Sequence, residues 1–376
     1  MNFHELLQKM VNQDASDMFV TAKLAVSAKI NGELVAIDEK VLTATEALGL
    51  VQDSMSEKQR LEFEQNKECN FAISIENIGR FRVSAFWQRD MAGMVIRRIL
   101  TEIPDADELG LPKVLKDIVM SKRGLVLFVG GTGTGKSTSM AALIGYRNKN
   151  STGHILTIED PVEFVHEHEK CMVTQREVGL DTESFDAALK SSLRQAPDVI
   201  LIGEIRNQET MEHALSFAET GHLCIATLHA NNANQAIDRI MHLVPAEQHG
   251  KLLFDLALNL RGIIAQQLIP TCDGNGRVAA IEILLNSPYV GELIKKGDVG
   301  AIKEVMSKSE DQGMQTFDKA LFNLYQKDEI TFDDAIRHAD SPNDLRLMIK
   351  LNNNDKSGSG SLAGVTIDGM EPKEEY

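Results

Sequence analysis

Gly130-Gly131-Thr132-Gly133-Thr134-Gly135-Lys136-Ser137 lies between two segments of different character. Leu125-Val126-Leu127-Phe128-Val129 before it is a short apolar run of buried-strand type, and Ser139-Met140-Ala141-Ala142-Leu143-Ile144 after it suits a helix. The octet fits G-x-x-x-x-G-K-[ST], in which glycines let backbone N–H groups turn inward around phosphate oxygens. The helix N-terminus behind them adds partial positive charge. On that pattern Gly130, Gly131, Thr132, Gly133, Thr134, Gly135, Lys136, Ser137 and Thr138 cradle ATP. Lys136 reaches the β/γ-phosphates and the Ser137 hydroxyl ligates Mg²⁺. The alternative is a glycine-rich turn with an incidental lysine. At glycine usage near ~7%, the bare pattern arises by chance in on the order of one chain in a hundred. The flanking strand and helix lower that figure.

The chain has 376 residues, 43% of them hydrophobic, enough for a sizeable core and more than one domain. A formal net charge of −16 argues against a sequence-independent DNA or RNA binder, which needs a cationic face, so no nucleic-acid partner is expected. Met1-Asn2-Phe3-His4-Glu5 lacks the basic and apolar regions of a signal peptide, and no apolar run approaches the ~20 residues of a membrane span. Cys69, Cys171, Cys224 and Cys272 are scattered without a C-x-x-C, so neither zinc nor a disulfide framework is indicated. These features fit the cytoplasm.

Residues 1–102 are read as a small α+β unit. Ala25–Ile30 and Glu33–Ile37 flank Asn31-Gly32, a strong hairpin signal. Thr43 with Glu46 makes a capping box that opens a helix toward Phe63. Strands follow near Cys69–Ile75, Arg80–Phe86 and Gly93–Leu100. In the second of them Phe81, Val83 and Ala85 alternate with Arg80, Arg82 and Ser84, which puts both arginines on one polar face. Residues 103–112, polar and bounded by Pro104 and Pro112, are the expected linker. From 113 to 351 apolar runs alternate with amphipathic segments, as in a mostly parallel sheet covered by helices. Phe185, Leu189 and Leu193 are spaced for one face of such a helix. After about Pro245 helical segments are expected, with one hairpin-like interruption around Cys272–Gly276. Residues 352–376, rich in Asn, Ser, Gly and acid, are expected to be a disordered tail.

Open parallel sheets bind ligands beyond the carboxyl ends of their strands. Leu125–Val129 leads into the phosphate loop, and His154–Ile158 leads into Glu159-Asp160-Pro161-Val162-Glu163. Val199–Ile202 leads into Gly203-Glu204-Ile205-Arg206, and Leu223–Leu228 leads into His229. Acidic groups at this edge hold Mg²⁺ or orient the attacking water. Gly203 occupies the place of the usual Mg²⁺ aspartate, so Glu204 acts alone on its strand and the Glu159/Asp160/Glu163 cluster supplies the missing carboxylate. Ser137, Glu159 and Glu204 are the expected metal ligands, and Glu204, Glu163 and His229 the expected catalytic groups. Glu163 is also readable, as the lesser alternative, as a solvated acid at a helix start. His222 and His229 are an odd number of residues apart, facing opposite ways and roughly 23 Å apart at ~3.3 Å per residue. Only His229 stands at the carboxyl edge as a γ-phosphate sensor, and His222 suits a capping or packing role.

Together these residues resemble the hexameric secretion ATPases of the type II/type IV pilus superfamily. The motifs run from Ser16-Asp17 and Asn31-Gly32-Glu33-Leu34 through the phosphate loop and Ile158–Glu163. They continue through Leu193–Asp198 and from Gly221-His222 to Thr227-Leu228-His229. Gln175–Gly179 and Gly313–Asp318 narrow the resemblance to the type IV pilus retraction ATPases. The resemblance implies a PAS-like N-terminal domain, a RecA-like P-loop NTPase domain with C-terminal helices, and a homohexameric ring. It also implies a membrane platform protein as docking partner and arginines that reach a neighbour's phosphates, for which Arg80, Arg82 and Arg97 are the candidates. Arg194 and Arg206 are candidates within the motor domain. The same strand arginines are also readable as solvating an exposed sheet face. Ala301-Ile302-Lys303-Glu304-Val305-Met306 replaces an Ala-Ile-Arg-Asn-type motif, and the chain continues past Leu351. Both departures point to the accessory branch, acting with a paralogous retraction ATPase. An ATP-binding scaffold working through that paralogue is the competing expectation, and a DNA-translocating ring is disfavoured by the acidic charge.

Overall fold

The computed structural model describes residues 2–30, 32–99 and 102–356. Asn31 of the expected hairpin turn and residues 357–376 of the expected tail lie outside the described residues. The N-terminal strands are β1 (Asp17–Thr21), β2 (Ala25–Ile30), β3 (Glu33–Val41), β4 (Glu68–Ile75), β5 (Gly79–Gln88) and β6 (Met91–Ile99). They form an antiparallel sheet in the order β3-β2-β1-β6-β5-β4. Alternation along β5 buries Phe81, Val83 and Ala85 and leaves Arg80, Arg82 and Ser84 partly exposed on the other face. Helices Phe3–Asn12, Ala44–Asp53 and Glu57–Asn66 contribute Leu6, Leu7, Val51 and Phe63 to the core on the apolar face. This is the PAS-like arrangement. The Thr43–Glu46 capping box is formed, but the single helix expected to run to Phe63 is two. Ser56 and Gln59 make a second capping box, which restarts the helix after the break at Ser54.

The second sheet comprises β7 (Gly124–Val129), β8 (Gly153–Glu159), β9 (Cys171–Glu177), β10 (Val199–Ile202), β11 (Leu223–Leu228), β12 (Leu260–Pro270) and β13 (Arg277–Leu285). Its order is β13-β12-β7-β11-β10-β8-β9, with parallel pairing except between β12 and β13. Helices pack on both faces, and the class is α/β of RecA-like type. The hairpin-like interruption after Pro245 proves to be two long strands that widen this sheet. β12 is buried nearly throughout and has no alternation to separate it from a helix. The 103–112 stretch is anchored rather than free. Ala106 and Leu111 are buried in the same core as Leu115, Met140 and Leu143. Leu193 departs from the expected apolar face: the helix Phe185–Ser192 gives way to a 3₁₀ turn and Leu193 is exposed. The last helix, Pro342–Lys356, runs past Leu351, where disorder was expected to begin. Leu345 and Ile349 are buried and anchor it, and an anchored helix propagates at little cost. Among the described residues no helix is long and apolar enough to cross a membrane.

One buried carboxylate ties the C-terminal helices to the sheet. Glu282 on β13 accepts the Ala233 N–H at 2.8 Å at the start of the helix Ala233–Met241. Nearby, Lys303 pairs with Asp340 at 2.9 Å, and Asp318 accepts the Asp340 N–H at 2.8 Å. Burial raises the Glu282 carboxyl from 4.5 to about 7, with Asp340 adding to the shift and the Ala233 N–H and Lys303 opposing it. The folded chain therefore holds this proton more tightly than the unfolded chain does. Its contribution to stability is full below 4.5 and is lost as pH rises toward 7. Glu282→Gln keeps the shape and removes the titration. The variant's Tm should gain on the wild type between about pH 5 and pH 8, and a pH-independent difference would refute this account.

Candidate nucleotide site

β7 is buried on both faces and ends at Gly130, where the backbone turns into the loop at φ +153°. A Cβ on Gly130 would lie 2.6 Å from Thr134 Oγ1 and 2.7 Å from the Gln266 carbonyl. At Gly135 (φ +84°) it would lie 2.8 Å from Gln266 Nε2. β12 therefore presses against the loop and demands glycine at both places. The helix Lys136–Asn150 starts directly behind, capped by Gly135 with no side chain accepting from its first N–H groups. Those donors face the loop, as anion binding requires. Lys136 Nζ donates to the carbonyls of Gly130 at 2.9 Å and Gly131 at 2.7 Å. Burial holds its pKa below the ordinary value, opposed by the charges of Glu204 and Glu163.

Lys136 and Ser137 share a cleft of ≈ 320 Å³ with Glu159, Glu163, Glu204 and His229, so four strands deliver their polar ends to one edge. Glu204 is clamped there. Arg206 Nε donates to its Oε2 at 2.6 Å, and His229 Nε2 lies 3.1 Å from its Oε1. Arg206 also reaches Asp160 at 3.2 Å, tying the turn after β10 to the turn after β8. Glu159 accepts from Thr157 Oγ1 at 2.6 Å and from Gln175 Nε2 at 3.2 Å. Burial pushes its pKa up, those two hydrogen bonds oppose the shift, and the nearby charges of Glu163 and Glu177 add to it.

The structure gives a physical reason for Gly203. Its N–H donates to the Ile158 carbonyl at 2.7 Å, and a Cβ there would lie 3.2 Å from both that oxygen and Glu159 Cα. β8 and β10 approach so closely here that a side chain would push the β8 backbone back by a few tenths of an ångström, and Glu159, one strand over, brings a carboxylate to the cleft. Ser137, Glu159 and Glu204 are hard oxygen donors suited to Mg²⁺, an ion that keeps several waters and shares its shell with substrate phosphates. Among the described residues no group of three or more His, Cys, Asp or Glu forms a self-sufficient metal cage.

Outside the cleft stand His222, read from the sequence as a capping or packing residue, and all the candidate arginines but Arg206. His222 sits at the other end of β11, its Nδ1 3.2 Å from the Phe217 carbonyl and 3.1 Å from Thr220 Oγ1, at the C-terminus of the helix Gln208–Glu219. Arg80, Arg82 and Arg97 do not line the cleft of their own chain. Arg80 pairs with Glu177 at 3.3 Å and Arg97 with Asp17 at 2.8 Å. Arg82 lies opposite Arg97 in the β5/β6 register, and no ion pair or hydrogen bond of its side chain occurs among the described residues. Arg194 is exposed in the 3₁₀ turn Leu193–Gln195, away from the cleft. Sequence reasoning missed Gln266, which buttresses the loop and accepts from Ser139 Oγ at 2.9 Å. It also missed Gln175, Thr157 and Thr227, whose hydroxyl donates to the Gly203 carbonyl. Gln175 and Thr227 stand in stretches that carry the family resemblance, but nothing local in the sequence gives any of the four a role at the site. They matter because neighbouring strands place them there.

The fold and this edge together are those of an ATPase of secretion type. The family model for "Type II/IV secretion system protein" matches residues 2–321. "Type IV pilus ATPase PilU" of Pseudomonas aeruginosa is 59% identical over 366 residues, 97% of this chain and 95% of that one. "Type IV pilus retractation ATPase PilT" of the same organism is 41% identical over 342 residues, 91% of this chain and 99% of that one. The crystal structure of the pilus retraction motor PilT with bound ADP superposes with a TM-score of 0.87 at 38% identity, covering 93% of this chain and 100% of that one. The chain belongs to the type II/IV secretion ATPase family and, within it, to the type IV pilus ATPases.

Replacing Gly203 with the aspartate usual at that place tests the strand-crowding account. Gly203→Asp should cost about 1–3 kcal/mol in thermal unfolding and leave turnover no higher than wild type. An unchanged Tm with raised turnover would show that the glycine is incidental.

Proposed function

We propose that this chain is an ATP-hydrolysing, homohexameric motor that serves type IV pilus retraction, and hence twitching motility, as an accessory to a paralogous retraction ATPase. It works in the cytoplasm, docked peripherally on the inner-membrane platform protein of the pilus machine. The observation that carries the reading is the clamp on Glu204. A carboxylate fixed between Arg206 at 2.6 Å and His229 at 3.1 Å, in the same cleft as the phosphate-loop lysine, is a poised hydrolytic edge.

In this reading the phosphate-loop N–H groups and Lys136 hold the phosphates, and Glu204 orients the attacking water and accepts its proton. Glu163, on the same cleft, is the second carboxylate available for that task. His229 senses the γ-phosphate by way of its contact with Glu204. Ser137, Glu159 and Glu204 would hold Mg²⁺, which would supply countercharge for the phosphates. Arg82, unpaired among the described residues, and Arg97, which is exposed, are the arginines offered to a neighbouring subunit's phosphates. Catalysis on this plan is positioning and electrostatics, as phosphoryl transfer requires.

The scaffold reading keeps one specific support. Lys303, standing in the altered 301–306 segment, is engaged with Asp340 at 2.9 Å instead of being free for a partner. ATP turnover of the purified chain decides between the two, measured alone and with the paralogue. A motor hydrolyses alone, Lys136→Ala lowers the rate at least ~100-fold, and Glu204→Gln lowers kcat by ~10²–10³ while nucleotide binding persists. Equal rates for wild type and Lys136→Ala would remove the enzymatic reading. Turnover found only with the paralogue would install the scaffold.

A further inference from the structure

Arg80 projects from the polar face of β5, and its Nη2 meets Glu177 Oε2 at the end of β9 at 3.3 Å. The contact joins the two sheets within one chain. Glu177 is well buried, with 8% of its side chain exposed against 21% for Arg80. The same Oε2 accepts the Val162 N–H at 3.2 Å. Val162 is itself buried and stands between Pro161 and Glu163, both of which line the nucleotide cleft. The carboxylate is also tied to the strand carrying Glu159. Glu177 is the register partner of Glu159, and the Val178 N–H donates to the Glu159 carbonyl at 2.9 Å. Among the described residues no cation other than Arg80 pairs with Glu177. A buried carboxylate that loses its partner is costly and relaxes by protonating or by swinging toward water. Either movement changes the acceptor that fixes the Val162 N–H.

We propose that Arg80 acts in cis as a positioning residue: through Glu177 it fixes the Asp160–Glu163 turn, so that the placement of the N-terminal sheet sets how Glu163 meets the cleft. The inference rests on the ATPase reading for its catalytic consequence, but its structural half does not. Arg80 differs here from Arg82 and Arg97, which make no hydrogen bond or ion pair with the motor sheet of their own chain among the described residues. The N-terminal sheet thus acts on the hydrolytic edge of its own subunit by a path separate from any arginine offered to a neighbour.

Amide hydrogen exchange on the nucleotide-free full-length chain tests the structural half. Arg80→Ala and the milder Arg80→Gln should speed exchange at Val162 and Glu163 about tenfold at unchanged Tm, and Arg80→Lys should restore protection. Unchanged exchange in the folded variants would overturn the proposal. Turnover kinetics test the catalytic half. Arg80→Ala should lower kcat by ~10–100-fold with KM moved only a few-fold, since the phosphate loop is untouched. Arg80→Ala combined with Glu177→Gln should be no slower than Glu177→Gln alone, because both act on one path. Multiplied losses would overturn the proposal by assigning Arg80 to a separate target such as a neighbour's phosphates. A wild-type chain without turnover would defeat the ATPase reading, and the exchange result would still decide the role of Arg80.

Discussion

The placement of β7 between β11 and β12 constrains everything else in the motor domain. Parallel hydrogen bonding on both sides fixes where β7 ends, and its burial on both faces leaves no room to slide. The phosphate loop must then begin against the Gln266 carbonyl of β12, where only glycine fits. With β7 fixed, the parallel neighbours β11, β10 and β8 end within two residues of it in register and bring His229, Glu204 and Glu159 to the same edge. The chemistry of the cleft is a consequence of sheet register before it is a matter of any one motif.

Much of this was readable in the chain because the strands of the parallel sheet are short apolar runs, each ending in a polar group. The phosphate loop, Glu159, Glu163, Glu204 and His229 were all found by that punctuation, and the structure gathers them into one cleft. β12 was not legible, since a strand buried nearly throughout carries no period. Gln266, and the role of Gln175 within its motif, escaped for another reason. They act from strands whose neighbours are distant in sequence, and an uncharged amide gives no local signal of the carboxylate or glycine it will meet. The break at Ser54–Ser56 was legible in principle, because Ser56 and Gln59 repeat the capping pattern of Thr43 and Glu46.

Charge is distributed unevenly between the two sheets. The cleft gathers Glu159, Asp160, Glu163 and Glu204 against Lys136 and Arg206, an acid surplus that a divalent cation would offset. The polar face of the N-terminal sheet sets Arg82 directly opposite Arg97, a like-charge pair relieved on one side by Asp17. An arginine-rich face and an acid-rich cleft on one chain are mutually attractive surfaces when two copies meet head to tail, the arrangement from which closed rings are built.

Crowding between β8 and β10 also bears on how such sites are recognised. Where β8 crowds Gly203, the carboxylate that faces the cleft at the level of that glycine stands on the next strand of the sheet, as Glu159. What a magnesium-binding cleft requires is an oxygen at a location and not a letter at a sequence position. A pattern that demands aspartate after the apolar run Val199–Ile202 would discard this chain as inactive. A criterion written in three dimensions, asking which carboxylates lie within reach of the phosphate loop, would retain it.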